Sequence, residues 1–141
     1  MFIQNCFIRK NTKDLRNKLK EIGYKLNHGK VWGKYLACFK TEDTNECMFV
    51  ASPKYDLEKM PNYINAINCG EDENLFLAIA ALRDDSDYMQ WFIFDEDIKI
   101  DAKIFHKKGE FMLHEKTDDV LKSHFYHKAT VEELIEYFKN K

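Results

Sequence analysis

The residues best suited to nucleophilic chemistry in this 141-residue chain are its four cysteines, and Cys69 is the most suggestive of them. Cys69 comes just before an apolar run that predicts a helix, and the N-terminus of a helix can stabilise a thiolate. The acidic residues 71–73 oppose that effect because they place negative charge beside the thiol. A small hydrolase would pair Cys69 with a histidine such as His106 or His114, but the pattern favours a structural cysteine.

The last third of the chain is rich in histidine, a common zinc ligand. Its histidines are His106, His114, His124 and His127. No Cys-x-x-Cys pair accompanies them, and two histidines three residues apart are not a distinctive metal signature. We therefore interpret these histidines as surface or polar-edge residues and predict no metal site.

Acidic clusters at residues 84–87 and 95–97 flank a predicted strand. A strand of about seven residues separates its ends by roughly 20 Å, so the two clusters should not share one cation. Neither cluster carries the glycine that an EF-hand loop requires at its sixth position. We therefore interpret both acidic clusters as solvated turns. Walker, Rossmann and Gly-x-Ser-x-Gly patterns do not occur in the sequence either, so we predict no cofactor.

Composition predicts one folded domain spanning residues 1–141. The chain is 45% hydrophobic and 33% charged, which is typical of a globule with a soluble surface. Its formal net charge of -2 supplies no general attraction to nucleic acid. Nucleic-acid binding through a local basic face on the first predicted helix is an alternative, although a solvated helix face is commoner. The lysines of that face are Lys10, Lys13, Lys18 and Lys20.

Cysteine spacing and the N-terminal residues predict the location of the protein. Cys6, Cys38, Cys47 and Cys69 are far apart, and the first residues lack the basic leader and longer apolar run of a secretory signal. No apolar run approaches the roughly 20 residues needed to cross a bilayer. These features predict a cytoplasmic protein with reduced cysteines and no membrane partner.

The packing centre predicted from the sequence extends from Leu75 to Phe94. Residues 75–82 are all apolar and follow an acidic stretch, which predicts a helix that is covered on nearly every side. Residues 88–94 are rich in aromatic and branched side chains, which is typical of an interior strand. We expect the remaining elements to pack on this helix and strand.

Amphipathic helices and hairpins are predicted around that centre. Thr12 and Gly23 bracket a helix over residues 13–22, and a capping box at Thr130 and Glu133 begins a C-terminal helix. The other predicted segments are a first strand at 2–8, hairpins at 24–32 and 34–51, one or two helical turns after Pro61 that end near Gly70, a half-buried strand at 98–104, a hairpin strand at 110–115, and a short helix or irregular cover at 116–128. These elements predict an α+β fold, with a mainly antiparallel sheet of hairpins packed against a central apolar helix and two amphipathic terminal helices.

Aromatic residues are the best compositional indication of function. They make up 14% of the chain, and Tyr and Trp are favoured where proteins meet partners, although most aromatic side chains are expected in the core. The sequence favours a non-enzymatic cytoplasmic binding or accessory protein that contacts a protein partner or a second copy of itself. The predicted binding residues are Trp32, Tyr35, Asp84, Asp85 and Asp87.

Overall fold

The computed structural model describes residues 4–26, 33–40, 47–52, 66–83, 88–114 and 125–139. Contacts divide the chain into two compact units, residues 2–82 and residues 83–141, which we call the N-terminal and the C-terminal unit. The N-terminal unit combines two helices with a mixed sheet, and the C-terminal unit combines one helix with antiparallel sheets, so the predicted α+β class is confirmed. The prediction of one domain over the whole chain stays a prediction.

A five-stranded sheet organises the N-terminal unit. Its strands, in spatial order, are β2 (Lys25–Leu26), β4 (Cys47–Ser52), β3 (Tyr35–Lys40), β1 (Cys6–Ile8) and β5 (Ile67–Asn68). β3 pairs antiparallel with β4 and β1, whereas β2 and β5 join the two edges in parallel. The register places Cys6, Cys38 and Phe49 on one face and Phe7 and Ala37 on the other, and all five side chains are buried.

The first helix, α1 (Lys13–Ile22), confirms both predicted caps. The Thr12 side chain accepts a hydrogen bond from the Leu15 amide at 3.1 Å, and Gly23 ends the helix at φ 129°. The apolar side chains at helical spacing, including Leu19, are buried as the pattern predicts.

The second helix, α2 (Glu73–Ala80), is the predicted apolar helix. Asp72 begins it by accepting a hydrogen bond from the Leu75 amide at 3.1 Å. Phe76 is fully buried, and the helix packs against β1 and α1. The buried Tyr24 hydroxyl donates to the Ala80 carbonyl at 2.6 Å, which links the end of α2 to the residue before β2.

The C-terminal unit contains a three-stranded antiparallel sheet with β6 (Gln90–Phe94) in the middle, as an interior strand. Its neighbours are β10 (Tyr126–Lys128) and β9 (Phe111–His114). A separate two-stranded sheet consists of β7 (Ile98–Ile100) and β8 (Lys103–His106), which lie in sequence between β6 and β9.

The third helix, α3 (Val131–Lys139), covers part of the three-stranded sheet through aromatic contacts. Phe138 meets Trp91 edge-on with ring centroids 5.6 Å apart, and Tyr137 stacks on Phe111 at 3.9 Å. The predicted capping box is confirmed, since the Thr130 hydroxyl accepts from the Glu133 amide at 3.2 Å. In the parts of the chain that the structure describes, no helix is both long enough and apolar enough to span a membrane.

Several local predictions are wrong because long-range strand pairing overrides local preference. Ile67 and Asn68 form β5 rather than the end of a helical turn, and residues 126–128 form a strand rather than a helix or irregular cover. β9, which follows the turn at 107–109, pairs with β6 and not with β8, so the hairpin predicted across that turn does not form.

The predicted packing centre is divided between the two units, with α2 in the N-terminal and β6 in the C-terminal unit. The structure describes residues 24–26 of the predicted hairpin at 24–32, where β2 pairs in parallel with β4. Residues 27–32 lie outside the described ranges.

Candidate functional site

A hairpin inserted between two paired strands is the most distinctive surface feature of the C-terminal unit. β6 and β9 are antiparallel neighbours, yet the chain between them passes through β7 and β8 before it rejoins the sheet. At the neck of the insertion, the Gly109 amide donates to the Phe94 carbonyl at 2.8 Å. We call residues 95–109 the arm. A short turn suffices to join antiparallel strands, and long insertions into such a turn are commonly functional.

The turn of the arm needs a left-handed backbone at two residues that are not glycine. Asp101 has φ 51° and Ala102 has φ 67°, the signs of a type I′ hairpin turn. The alternation of apolar and charged residues predicts one half-buried strand over residues 98–104, and this prediction is wrong. Ile98, Ile100, Ala102 and Ile104 do alternate with charged residues, but Asp101 and Ala102 reverse the chain direction in the middle of that pattern.

A bulge in β8 sets the position of an exposed aromatic side chain. Ile98 pairs with His106 and Lys99 pairs with Ile104, so Phe105 is an extra residue in β8. A bulge of this kind bends the strand and redirects the side chain it carries. The Phe105 side chain is 59% exposed.

Apolar exposure is concentrated on the arm. Four large hydrophobic residues are exposed in the described part of the chain, and three of them are Ile100, Ile104 and Phe105. The fourth, Phe125, lies near the neck, where its carbonyl accepts a hydrogen bond from the Asp95 amide at 2.7 Å. The register pairs Ile100 with Lys103 and Ile104 with Lys99, so the two isoleucines lie on opposite faces of the hairpin. A two-stranded hairpin gains little stability from presenting apolar side chains to water, and exposed apolar side chains of this kind are available to a partner.

Four exposed lysines lie along the arm. The exposed lysines are Lys99, Lys103, Lys107 and Lys108. Asp101 is the one acidic residue between positions 98 and 108, so four positive charges less one negative charge give this stretch +3 with histidine neutral. The acidic residues 95–97 lie at the neck, where the Asp97 carboxylate accepts from the Lys108 amide at 2.8 Å.

The base of the arm is fixed to the sheet. The buried Phe94 ring stacks on His106 with centroids 4.4 Å apart and planes 8° from parallel. Phe94 also meets Tyr126 of β10 at 5.7 Å, and the His106 imidazole contacts the Glu110 carboxylate. The arm therefore presents its exposed side chains from an anchored base, which lowers the entropy lost when a partner binds.

A polar cluster of the C-terminal unit joins β10, α3 and the residue that follows β6. His127 of β10 contacts the Asp95 carboxylate through Nδ1 at 2.6 Å and the Glu133 carboxylate of α3 through Nε2 at 3.0 Å. We call these three side chains the histidine clasp. The hydrogen bond with Glu133 raises the pKa of His127, partial burial opposes this shift, and Asp95 adds to it.

The clasp is arranged for structure rather than for proton transfer. Both imidazole nitrogens face carboxylate oxygens, so the protonated ring, which donates from both nitrogens, fits the geometry. A catalytic histidine keeps one nitrogen for its nucleophile or substrate. Burial alone would raise the pKa of Glu133, but hydrogen bonds from Thr130 and His127 lower it overall.

Replacing His127 with glutamine should lower stability in a pH-dependent way. Because the folded pKa of His127 is raised above 6.5, its contribution is complete below that pH and is lost as the pH rises through the folded pKa. The side chain is 42% exposed, so we expect a loss of roughly 0.5 to 1 kcal/mol at pH 6 and almost none at pH 9. Urea unfolding of wild type and H127Q at both pH values measures this difference, and equal losses at the two pH values would contradict it.

Of the binding residues predicted from the sequence, the structure describes Tyr35. It is half-buried at the start of β3 and packs against the cluster of Phe7, Ala37 and Phe39. The remaining predicted residues, Trp32, Asp84, Asp85 and Asp87, lie outside the described ranges. The binding role of this set stays a prediction.

Cys69 lies between β5 and α2, and its thiol is buried. The thiol donates a weak hydrogen bond to the Ile67 carbonyl at 3.8 Å. A hydrogen bond with Cys6 and burial raise the pKa of Cys69, which holds it in the protonated form rather than as the nucleophilic thiolate. This environment supports the structural interpretation of Cys69 over the hydrolase.

The lysines near α1 are partly engaged within their own unit. Lys10 pairs with Glu73 at 3.0 Å, and Lys18 pairs with Asp14 at 3.1 Å. These pairs lower the charge available to a phosphate backbone, since each cation already has a carboxylate neighbour.

Within the described ranges, no three His, Cys, Asp or Glu side chains are arranged to hold a metal ion. No protein-family model matches the chain, and neither the curated proteins nor the solved structures include a match. The surface chemistry of the described residues is therefore the basis for proposing a function.

Proposed function

We propose that this chain is a non-enzymatic binding protein of the cytoplasm, and that the arm docks on a protein partner. The observation that carries this proposal is the concentration of exposed Ile100, Ile104 and Phe105 on one anchored hairpin. The partner segment that fits this surface is apolar and flanked by carboxylates, because Lys99 lies opposite Ile104 and Lys103 lies opposite Ile100 in the hairpin.

Charge distinguishes a protein partner from a bilayer. Asp101 lies at the tip of the arm, and insertion of that tip into a membrane would place its carboxylate deepest. A second copy that docked tip to tip would bring Lys99 and Lys103 of the two copies together, which is unfavourable. An acidic and apolar protein segment meets neither obstacle.

The free thiols support the proposed location. Cys6, Cys38, Cys47 and Cys69 are all unpaired by disulfides. Reduced cysteines are typical of proteins that work in a reducing compartment.

The test compares proteins retained from a native lysate by immobilised wild type and by the I100S/I104S/F105S variant. We expect a set of proteins with acidic and apolar segments to be lost from the variant, because truncating a central aromatic anchor costs roughly 2 kcal/mol, about thirtyfold in affinity. Synthetic peptides from those segments should then bind wild type directly, and more weakly when Lys99 and Lys103 are changed to glutamate.

F125S is the matched control, since it removes an aromatic side chain of similar exposure from outside the arm. It should retain the same proteins as wild type. The proposal is wrong if wild type and the arm variant retain the same proteins, if wild type retains none, or if wild type binds phosphatidylserine vesicles in place of the peptides.

A further inference from the structure

Three buried cysteines of the N-terminal unit lie on or beside neighbouring strands of its sheet. Cys6 comes from β1, Cys38 from β3, and Cys69 from the segment between β5 and α2. Cys6 pairs with Cys38 in the strand register, Cys69 follows two residues after Ile67, which pairs with Cys6 in β5, and all three cysteine side chains are at most 3% exposed. Cys6 is therefore the common neighbour in the cluster.

Strand register brings Cys6 and Cys38 into the range of a disulfide. Asn5 and Phe7 direct their carbonyls towards β5, where they accept from the amides of Ile67 and Cys69. Successive residues of a strand point their backbone N–H and C=O groups to opposite sides, so the N–H and C=O of Cys6 point towards β3. Cys6 and Cys38 therefore form a hydrogen-bonded pair. The Cα atoms of such a pair are about 5.5 Å apart, within the range of about 4.4 to 6.8 Å that disulfides span, and its Cβ atoms must approach by about 1 Å from the cross-strand spacing for the bond to form.

We propose that Cys6 is the common member of a reversible oxidation site and forms a disulfide with Cys38 or Cys69 by exchange with a low-molecular-weight disulfide. One protein thiolate attacks the small disulfide, which gives a mixed disulfide and releases one small thiolate. The neighbouring protein thiolate then displaces the second small thiolate. The two protein sulfurs are oxidised, the small disulfide is reduced to two thiols, and these take up the two protons that the cysteines lose.

Access to the site requires local opening, because burial keeps the thiols from solvent and raises the pKa of Cys6. β5 has two residues and lies at the edge of the described sheet, so its separation from β1 should need less free energy than global unfolding. The rate of oxidation should therefore level off at high oxidant concentration, where opening becomes limiting.

The experiment incubates folded protein with oxidised glutathione and follows free thiols and intact mass. We expect the four free thiols to fall to two, with a protein about 2 Da lighter, and full recovery after a reductant is added. Peptide mapping without reduction should find Cys6 in every cross-linked product of wild type.

Single variants assign the pairs. C6A should reduce the cross-linked yield at least tenfold, whereas C38A and C69A should each retain one product. C47A is the matched control and should behave as wild type, because Cys47 is half-buried and lies on another strand. Four free thiols after incubation of folded wild type, or cross-links that omit Cys6, would overturn the proposal even if a variant failed to fold.

Discussion

Replacing Phe76 with alanine is expected to lower the free energy of unfolding of the N-terminal unit by about 3 to 5 kcal/mol. Phe76 is fully buried in α2, and its carbonyl accepts a weak hydrogen bond from the Cys6 thiol at 4.0 Å, which places this residue beside β1. Truncation removes the transfer free energy of the ring and leaves a cavity that its neighbours fill only in part. Since a typical domain is stable by 5 to 15 kcal/mol, much of its stability should be lost.

Urea unfolding followed by circular dichroism measures the effect of F76A, and hydrogen exchange over residues 66–82 locates it. Leu77 offers a matched control because it lies in the same helix but is half-buried. L77A should cost roughly 1 to 2 kcal/mol. Equal losses for the two variants would contradict the assignment of α2 as the apolar centre of this unit.

The elements that local chemistry determines were predictable from the sequence. α1 begins after Thr12 and ends at Gly23 because each cap satisfies backbone groups within a few residues of itself. The capping box of Thr130 and Glu133 follows the same principle, and the apolar run of α2 leaves few alternatives to a buried helix.

Elements that depend on distant partners were not predictable. β5 and β10 have two and three residues, and each exists because a longer strand supplies its hydrogen bonds. The hairpin of the arm was not predicted from the sequence for a related reason. A period of two over residues 98–104 is typical of a strand, and Asp101, which tolerates a left-handed backbone, was the one local signal for a turn.

The polar and thiol clusters were also beyond sequence reasoning, because each is assembled from separate elements. The histidines were predicted as surface or polar-edge residues, and His127 is 42% exposed, but its pairing with Asp95 and Glu133 needs three elements to meet. Cys6 and Cys38 are 32 residues apart and meet through strand register alone.

The same substitution should have a large effect at Phe94 and a small one at Phe105, although both lie in or beside the arm. Phe94 is 5% exposed and contacts His106 and Tyr126, so F94A should cost about 3 to 5 kcal/mol and release the base of the arm. Phe105 is 59% exposed, so F105A should change stability by no more than about 0.5 kcal/mol.

Urea unfolding of both variants, with hydrogen exchange over residues 88–114, makes this comparison directly. The small effect expected for F105A is the property that leaves an aromatic side chain available to a partner, since a ring that stabilises its own fold is already in contact. A loss above about 1.5 kcal/mol for F105A would mean that Phe105 supports the fold. That result would remove the main reason for assigning the arm to binding, whereas a small loss with weakened partner retention would separate binding from stability at one residue.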